Sequence, residues 1–219
     1  MEQVEINSRA GEALGLVLDP TEYIQNVWRT GHFFEERLLE YIYWHYKGRV
    51  FIDVGSCIGN HTLFFAKFCQ PKHVVSIEPH PASAEHQRQL LKLNGVQRAV
   101  TLHQVAVSDR AGRGRLRPWD ARHPFASNEL LDGDEVDVTT LDELLPDMKH
   151  VNLVKIDVEG HELKVLDGAR EFLKRNRPSL FVEFRKRANY HRATEWLAGY
   201  GYRQSGSVFQ DATVFEFVP

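Results

Sequence analysis

The chain has 219 residues, 42% hydrophobic and 26% charged. That balance excludes wholesale disorder and suits a domain able to bury about 70% of its unfolded surface without disulfides or a metal staple. Lys and Arg number 27 against 30 Asp and Glu, a formal net charge of −3, so nothing binds this chain to nucleic acid through bulk positive charge.

Two cysteines, Cys57 and Cys69, form neither a disulfide framework nor a zinc spacing, and a reduced, cytoplasmic setting is expected. Residues 1–20 read as polar and irregular. Their longest apolar stretch, Leu14 to Leu18, is too short for an export signal or a membrane span, so no membrane partner is expected. From Asp19 to Tyr46 the pattern turns helical, with Phe34, Leu38, Ile42 and Tyr46 four residues apart and Gly48 as the stop. Tyr41, Tyr43, Trp44 and Tyr46 read as packing residues of that helix. The one boundary falls near residue 48: a short helical extension, 1–48, would cover the substrate side of a domain formed by 49–219.

Beyond it the chain alternates. Val50–Val54 is an apolar run ending in glycine, as a buried parallel strand does. Residues 60–69 read as a helix, His73–Ile77 as a strand, Pro81–Leu93 as a helix whose proline suits the first turn, and Thr101–Val107 as a strand. Gly112–Arg117 and Glu135–Val138 fit a small hairpin, with 118–133 a long loop between them. Thr140-Leu141-Asp142-Glu143 is a capping box. Val151–Ile156 is a strand, His161–Arg175 a helix, Leu180–Phe184 a strand and 190–199 a helix, and 200–217 gives two closing strands around Ser205-Gly206. Seven strands and about six helices imply an α/β fold, one doubly wound sheet with right-handed crossovers.

Three stretches carry chemistry. In Asp53-Val54-Gly55-Ser56-Cys57-Ile58-Gly59-Asn60 a strand ends in an acid and a glycine, and a second glycine opens a helix. Glycine lets the backbone turn sharply and approach a ligand, and the helix start offers free N–H groups. The three-glycine dinucleotide pattern and a phosphate-binding lysine are both absent, which argues against a nicotinamide oxidoreductase. An acidic strand end suits a ligand bearing an amine or a sulfonium. Glu78-Pro79 ends the second strand, where a carboxylate accepts from ribose hydroxyls in doubly wound nucleotide sites. Lys155-Ile156-Asp157-Val158-Glu159-Gly160-His161-Glu162 ends a strand at the crevice where such sheets bind ligands. Lys155 alternates to the other side and reads as a cap on the sheet.

These stretches, with Val105-Ala106-Val107-Ser108-Asp109, Val138-Thr139-Thr140-Leu141-Asp142 and the Phe34-Glu35 pair, come in an order and spacing that resembles the FkbM family of S-adenosylmethionine-dependent methyltransferases. The likeness runs from about Phe33 to the C-terminus. It implies a Rossmann-like class I sheet of about seven strands, the last antiparallel, with helices on both faces. It also implies S-adenosylmethionine as methyl donor and a hydroxyl oxygen as the usual acceptor. On that resemblance Asp53 and Gly55 look like the methionine end of the cofactor site, with Ser56, Cys57, Gly59 and Asn60 completing the loop. Glu78 and Pro79 then fall at the ribose, Gln104, Val105 and Ala106 near the adenine, and Asp157, Glu159 and Gly160 towards the methyl group. The family more often has Ala-Asn where this chain has Ser56-Cys57.

Methyl transfer from a sulfonium is an in-line displacement that needs alignment and removal of the acceptor's proton. Asp157, Glu159, His161 and Glu183 are the base candidates, His161 having the unperturbed pKa nearest neutrality. Asp157, Glu159 and Glu183 could also give oxygen ligands to a divalent cation, a variant the sequence does not favour. Arg110, Arg113, Arg115 and Arg117, and Arg185, Lys186 and Arg187, read as solvated faces rather than a nucleic-acid surface. The expected enzyme is a monomer or homodimer, an O-methyltransferase of a small molecule or carbohydrate in natural product or glycan biosynthesis. An N-methyltransferase of the same fold and a non-catalytic nucleotide-binding protein are the alternatives.

Overall fold

The computed structural model describes residues 2–6, 12–16, 23–46, 48, 50–118, 128–210 and 213–219. The chain begins with a hairpin of β1 (Glu2–Ile6) and β2 (Glu12–Leu16), then α1 (Tyr23–Trp28) and α2 (Glu36–His45). Next come β3 (Val50–Val54), α3 (Asn60–Phe68), β4 (His73–Ile77), α4 (Pro81–Leu93) and β5 (Val100–His103). A middle section holds β6 (Ala106–Val107), β7 (Gly112–Pro118), β8 (Asn128–Asp132), β9 (Val136–Thr139) and α5 (Leu141–Leu144). The last third is β10 (Val151–Ile156), α6 (Glu162–Asp167), α7 (Arg170–Asn176), β11 (Ser179–Glu183), α8 (Arg187–Ala198), β12 (Arg203–Phe209) and β13 (Val214–Val218).

Seven strands form the main sheet in the order β12-β13-β11-β10-β3-β4-β5. The five from β11 to β5 are parallel, and β13 runs antiparallel to both neighbours, as the resemblance implies. Successive strand residues point to opposite faces, and each face has its own core. Ile52, Val75, Val154 and Val182 pack against α5 to α8, whereas Phe51, Val74, Leu153 and Phe181 pack with α1 to α3 and Leu90 of α4. Burial on both faces is why these strands read as unbroken apolar runs.

The structure corrects the sequence reading at several joints. The first residues are not irregular throughout: β1 pairs with β2 in register Val4↔Leu14, and Leu14 and Leu16 are buried. The expected helix over 19–46 is two helices, broken where Gly31 and Glu35 adopt left-handed φ of 83° and 57°. That break turns Trp28 and Phe33 inward, where Phe33 meets Phe64 edge-on at 5.0 Å. The strand expected over 101–107 divides between two sheets. β7 does pair antiparallel with β9, as the hairpin predicts, but β6 and β8 join them in a separate sheet of order β6-β9-β7-β8. Part of the loop over 118–133 is thus strand, and its residues 119–127 lie outside the described residues.

The helix over 161–175 breaks at Gly168, where a Cβ would lie 2.0 Å from the Ser108 carbonyl oxygen. The final turn lies beyond Phe209, while Gly206 (φ 98°) sits in a register shift within β12. No helix among the described residues is long and apolar enough to cross a membrane.

Side chains fasten the N-terminal helices to the sheet. Trp28 Nε1 donates to Asn60 Oδ1 at 2.8 Å, and Asn60 Nδ2 donates to the Phe34 carbonyl at 2.9 Å. The Tyr41 and Tyr46 hydroxyls donate to the buried Glu216 of β13 at 2.9 and 2.6 Å. Because Phe33 shares one core with Phe51, Phe64 and Phe181, truncation should weaken the whole molecule. Phe33→Ala is expected to cost about 3–5 kcal/mol, read as a lower urea midpoint in one cooperative transition rather than early loss of the N-terminal helices.

Candidate active site

The carboxyl ends of β3, β4, β10 and β11 open into a cleft of about 480 Å³, the size range of small-molecule sites. One wall is the β3–α3 loop. Gly55 sits at φ 80°, and a Cβ there would lie 1.8 Å from the Asp157 carbonyl oxygen. No side chain fits between the two strand ends. The Gly55 and Ser56 N–H groups donate to the Ile77 carbonyl at 2.9 and 3.1 Å, closing the loop against β4. Cys57 N–H then donates to one oxygen of Glu78 at 2.8 Å, and His80 N–H to the other at 2.8 Å. Burial pushes Glu78 up to about 7, against the pull of these two donors.

Behind the loop stands Gln87, which the sequence does not single out. It is fully buried, and its Nε2 donates to Ser56 Oγ at 2.9 Å and the Cys57 carbonyl at 3.2 Å. Gly59 (φ 95°) packs on Gln87 and does not line the cleft. Asp53 lies behind the wall rather than on it: it is fully buried, and Thr62 Oγ1 donates to its Oδ2 at 2.7 Å. Asn60 reaches the cleft, but its amide is engaged by Trp28 and Phe34. Pro79, Val105 and Ala106 line the wall beyond Glu78. Gln104 is exposed, accepts from Arg88 at 3.1 Å, and stays outside.

The floor overturns the reading of Lys155. By the two-residue period of a strand it shares a face with Asp157, and it pairs in register with Asp53. It lines the cleft, is 1% exposed, and donates from Nζ to Asp157 Oδ2 at 2.9 Å. Burial would lower its pKa, but Asp157, Glu35, Asp53 and Glu183 outweigh that and raise it, so it is an ammonium. Glu35 enters from the start of α2, with Oε2 2.9 Å from His61 Nε2. Burial would raise Glu35, but Lys155 and then His61 hold it down at about 2. Glu183 is pushed up to about 8, by the Asp157 charge first and burial second.

The other acid–base candidates are engaged. Glu159, in a left-handed conformation (φ 56°), pairs with Arg185 at 2.7 Å. His161 Nε2 lies 2.9 Å from Ser108 Oγ, and burial, then Lys164, lowers it to about 4, so it is neutral at pH 7. Glu162 is buried and accepts from Gly160 N–H at 2.5 Å. Tyr23, Ile24 and Phe34 close one side of the mouth, and Leu116, Asn128 and Leu130 another. None of these six is part of a strand-end motif. The arginines of β7 behave as solvated pairs: Arg113 with Asp134 and Asp137, Arg117 with Glu129.

Comparison with known proteins agrees with this architecture. The family model of the methyltransferase FkbM domain matches residues 53–204, more than half of the chain. Methyltransferase 1 of Beauveria bassiana (strain ARSEF 2860) is 27% identical over 146 residues, 53% of this chain and 57% of that protein. The crystal structure of methyltransferase FkbM from Methylobacillus flagellatus KT is similar with a TM-score of 0.55 at 21% identity, over 78% of this chain and 43% of that one. The structure of M. capricolum TrmK in complex with S-adenosyl-homocysteine is similar with a TM-score of 0.52 at 8% identity, over 83% of this chain and 66% of that one. At these identities the two solved structures show a shared fold, and the chain spans about half the length of the first two proteins.

The loop geometry sets apart two glycine substitutions. Gly55→Ala meets rigid backbone and should cost more than about 3 kcal/mol. Gly59→Ala carries about 1–3 kcal/mol for its left-handed backbone and presses at 2.6 Å on Cγ of the buried, hydrogen-bonded Gln87, so it should cost at least that much but less than the backbone clash at Gly55. Chemical denaturation of both variants checks the order.

Proposed function

The chain belongs to the FkbM methyltransferase family, and we propose that it transfers the methyl group of S-adenosylmethionine to a hydroxyl oxygen of a small-molecule or carbohydrate acceptor. The observation that carries this reading is Glu78. Two backbone N–H groups hold its carboxylate in place at the cleft wall, leaving its remaining lone pairs to accept from a ribose diol. S-adenosyl-homocysteine, the demethylated donor, is bound by TrmK, which shares the fold.

In this reading the backbone of Gly55, Ser56 and Cys57 cradles the cofactor, and Pro79, Val105 and Ala106 flank its base. Asp53 acts from behind the loop, through Thr62 and the charge it sets beside Lys155. The negative charge at Glu35, on the floor with Asp157 and Lys155, favours a sulfonium. The acceptor would enter between Tyr23 and Phe34, so residues 1–48 form an extension that shapes its pocket. Its nucleophilic atom would face Asp157 and Glu183, because Glu159 is held by Arg185 and His161 by Ser108. Alignment in a water-poor cleft supplies the larger part of the acceleration.

Calorimetry with S-adenosyl-homocysteine tests the donor. Glu78→Ala is expected to raise its Kd at least tenfold, about 1.4 kcal/mol, with the melting temperature showing a folded protein. Unchanged affinity would reject the assignment.

The pH dependence has a definite sign. A diol donates to the ionised carboxylate, so binding favours loss of the Glu78 proton. With Glu78 at about 7 in the free protein, affinity should fall as pH drops from 8 to 6, and Glu78→Gln should flatten that slope. Methyl transfer to a panel of hydroxyl acceptors, with amines alongside, then identifies the receiving atom.

A further inference from the structure

We propose that His161 reads the purine ring of the bound nucleotide, its Nδ1 accepting from an exocyclic 6-amino group and so selecting adenine over a 6-oxopurine. This rests on the donor reading above and adds the group that chooses the base. It comes from Ser108 and Asp109, the end of the Val105-to-Asp109 stretch, neither of which lines the cleft.

Three side chains form a line. Ser108 Oγ donates to Asp109 Oδ1 at 2.9 Å and lies 2.9 Å from His161 Nε2. Burial would raise Asp109, but the Ser108 hydroxyl and the Asp109 backbone N–H hold it below its ordinary value. It is a carboxylate and can only accept. The one hydroxyl proton of Ser108 is therefore taken by Asp109, and towards His161 the Ser108 oxygen can only accept. The imidazole is neutral at pH 7, since burial and then Lys164 lower it to about 4. Its single proton sits on Nε2, and Nδ1 is a bare lone pair. No described residue donates to Nδ1, which is open rather than buried, and His161 lines the cleft.

The place of this lone pair suits the base rather than the acceptor. Val105, Ala106 and Val107 line the wall that leads to Ser108. Val158, whose carbonyl accepts from His161 N–H at 3.2 Å, lines the cleft beside them. These four offer apolar faces to a flat ring, and His161 adds a directed polar group. A 6-amino group donates to Nδ1, whereas a 6-oxo group sets one lone pair against another. The second imidazole tautomer would serve a 6-oxo group only if Ser108 turned its proton away from Asp109. A site built around a donor in this way rejects an analogue that lacks it.

The test is calorimetry of the full chain with S-adenosyl-homocysteine and with S-inosyl-homocysteine, which keeps the ribose and the homocysteine. Wild type is expected to prefer the adenine compound at least tenfold, the effect of about one hydrogen bond. His161→Phe should bring the preference below about threefold by weakening the adenine compound. Ser108→Ala, which releases the tautomer, should narrow it by strengthening the inosine compound. ¹⁵N NMR of the ligand-free protein, with the His161 signals identified by their loss in His161→Phe, should show the Nε2–H tautomer. An Nδ1–H tautomer, or a full preference kept by both variants, would overturn the proposal. Should His161→Phe fail to fold, Ser108→Ala decides alone, because it removes a single oxygen. Binding of neither nucleotide overturns the donor reading and this inference with it; equal binding of both by wild type overturns this inference alone.

Discussion

A buried ammonium organises the candidate site. Lys155 sits in the fourth-position strand of a seven-stranded sheet, between Asp53 and Phe181 in register. An isolated ammonium there would lose several kcal/mol of hydration. Four acidic side chains reverse that balance; Lys155 in turn holds Glu35 down, while the Asp157 charge and burial push Glu183 up to about 8. The dependence is centred on Lys155: without it, the buried Glu35 and Asp53 would lose a cation beside them. The cluster forces the strand ends of β3, β10 and β11 and the start of α2 into one fixed geometry, and the cleft floor is that geometry.

The same charge cluster explains why the N-terminal helices close the cleft rather than lying elsewhere on the sheet. Glu35 reaches the cluster only if α2 begins where it does. Four hydrogen bonds fix that start: Trp28 to Asn60, Asn60 to Phe34, and Tyr41 and Tyr46 each to Glu216. Asn60 heads the helix that follows the glycine loop, so that loop and the N-terminal helices are tied through one amide. Apolar packing around Phe33 and Phe64 supplies most of the docking energy, and the polar links choose its register.

What the sequence discloses follows from how local each cause is. β3, β4 and β10 are legible because strands buried on both faces must be apolar throughout. Gly55 and Glu78 are legible because a strand end, a tight turn and a fixed acid lie within one βαβ unit. Gln87 escapes such reading, Lys155 is placed on the wrong side of the strand, and Glu35 enters only through the Phe34-Glu35 pair with no role: each is defined by a partner that only the folded register brings near. Lys155 lies beside Asp53, more than a hundred residues away, and Gln87 lies behind Ser56. The helix break at Gly168 is hidden for the same reason, since it is the Ser108 carbonyl that leaves no room for a Cβ. The second sheet is illegible because β6 has only two residues and β7 is rich in arginine, so neither has the apolar pattern of a strand.

The two halves of the cleft are therefore built on different principles. The wall around Gly55 and Glu78 is made by backbone groups: N–H donors fix the acid, and a carbonyl excludes any side chain at the turn. Substitutions elsewhere can hardly alter it, and it suits a ligand that does not change. The opposite half is made of side chains from the N-terminal helices, β7, β8 and the strand ends. Main chain thus fixes the shape of one half of the cleft, whereas side chains set the shape and charge of the other. In this chain the side-chain half joins a cluster of carboxyl groups with one lysine to the apolar rim of Tyr23, Ile24, Phe34, Leu116 and Leu130.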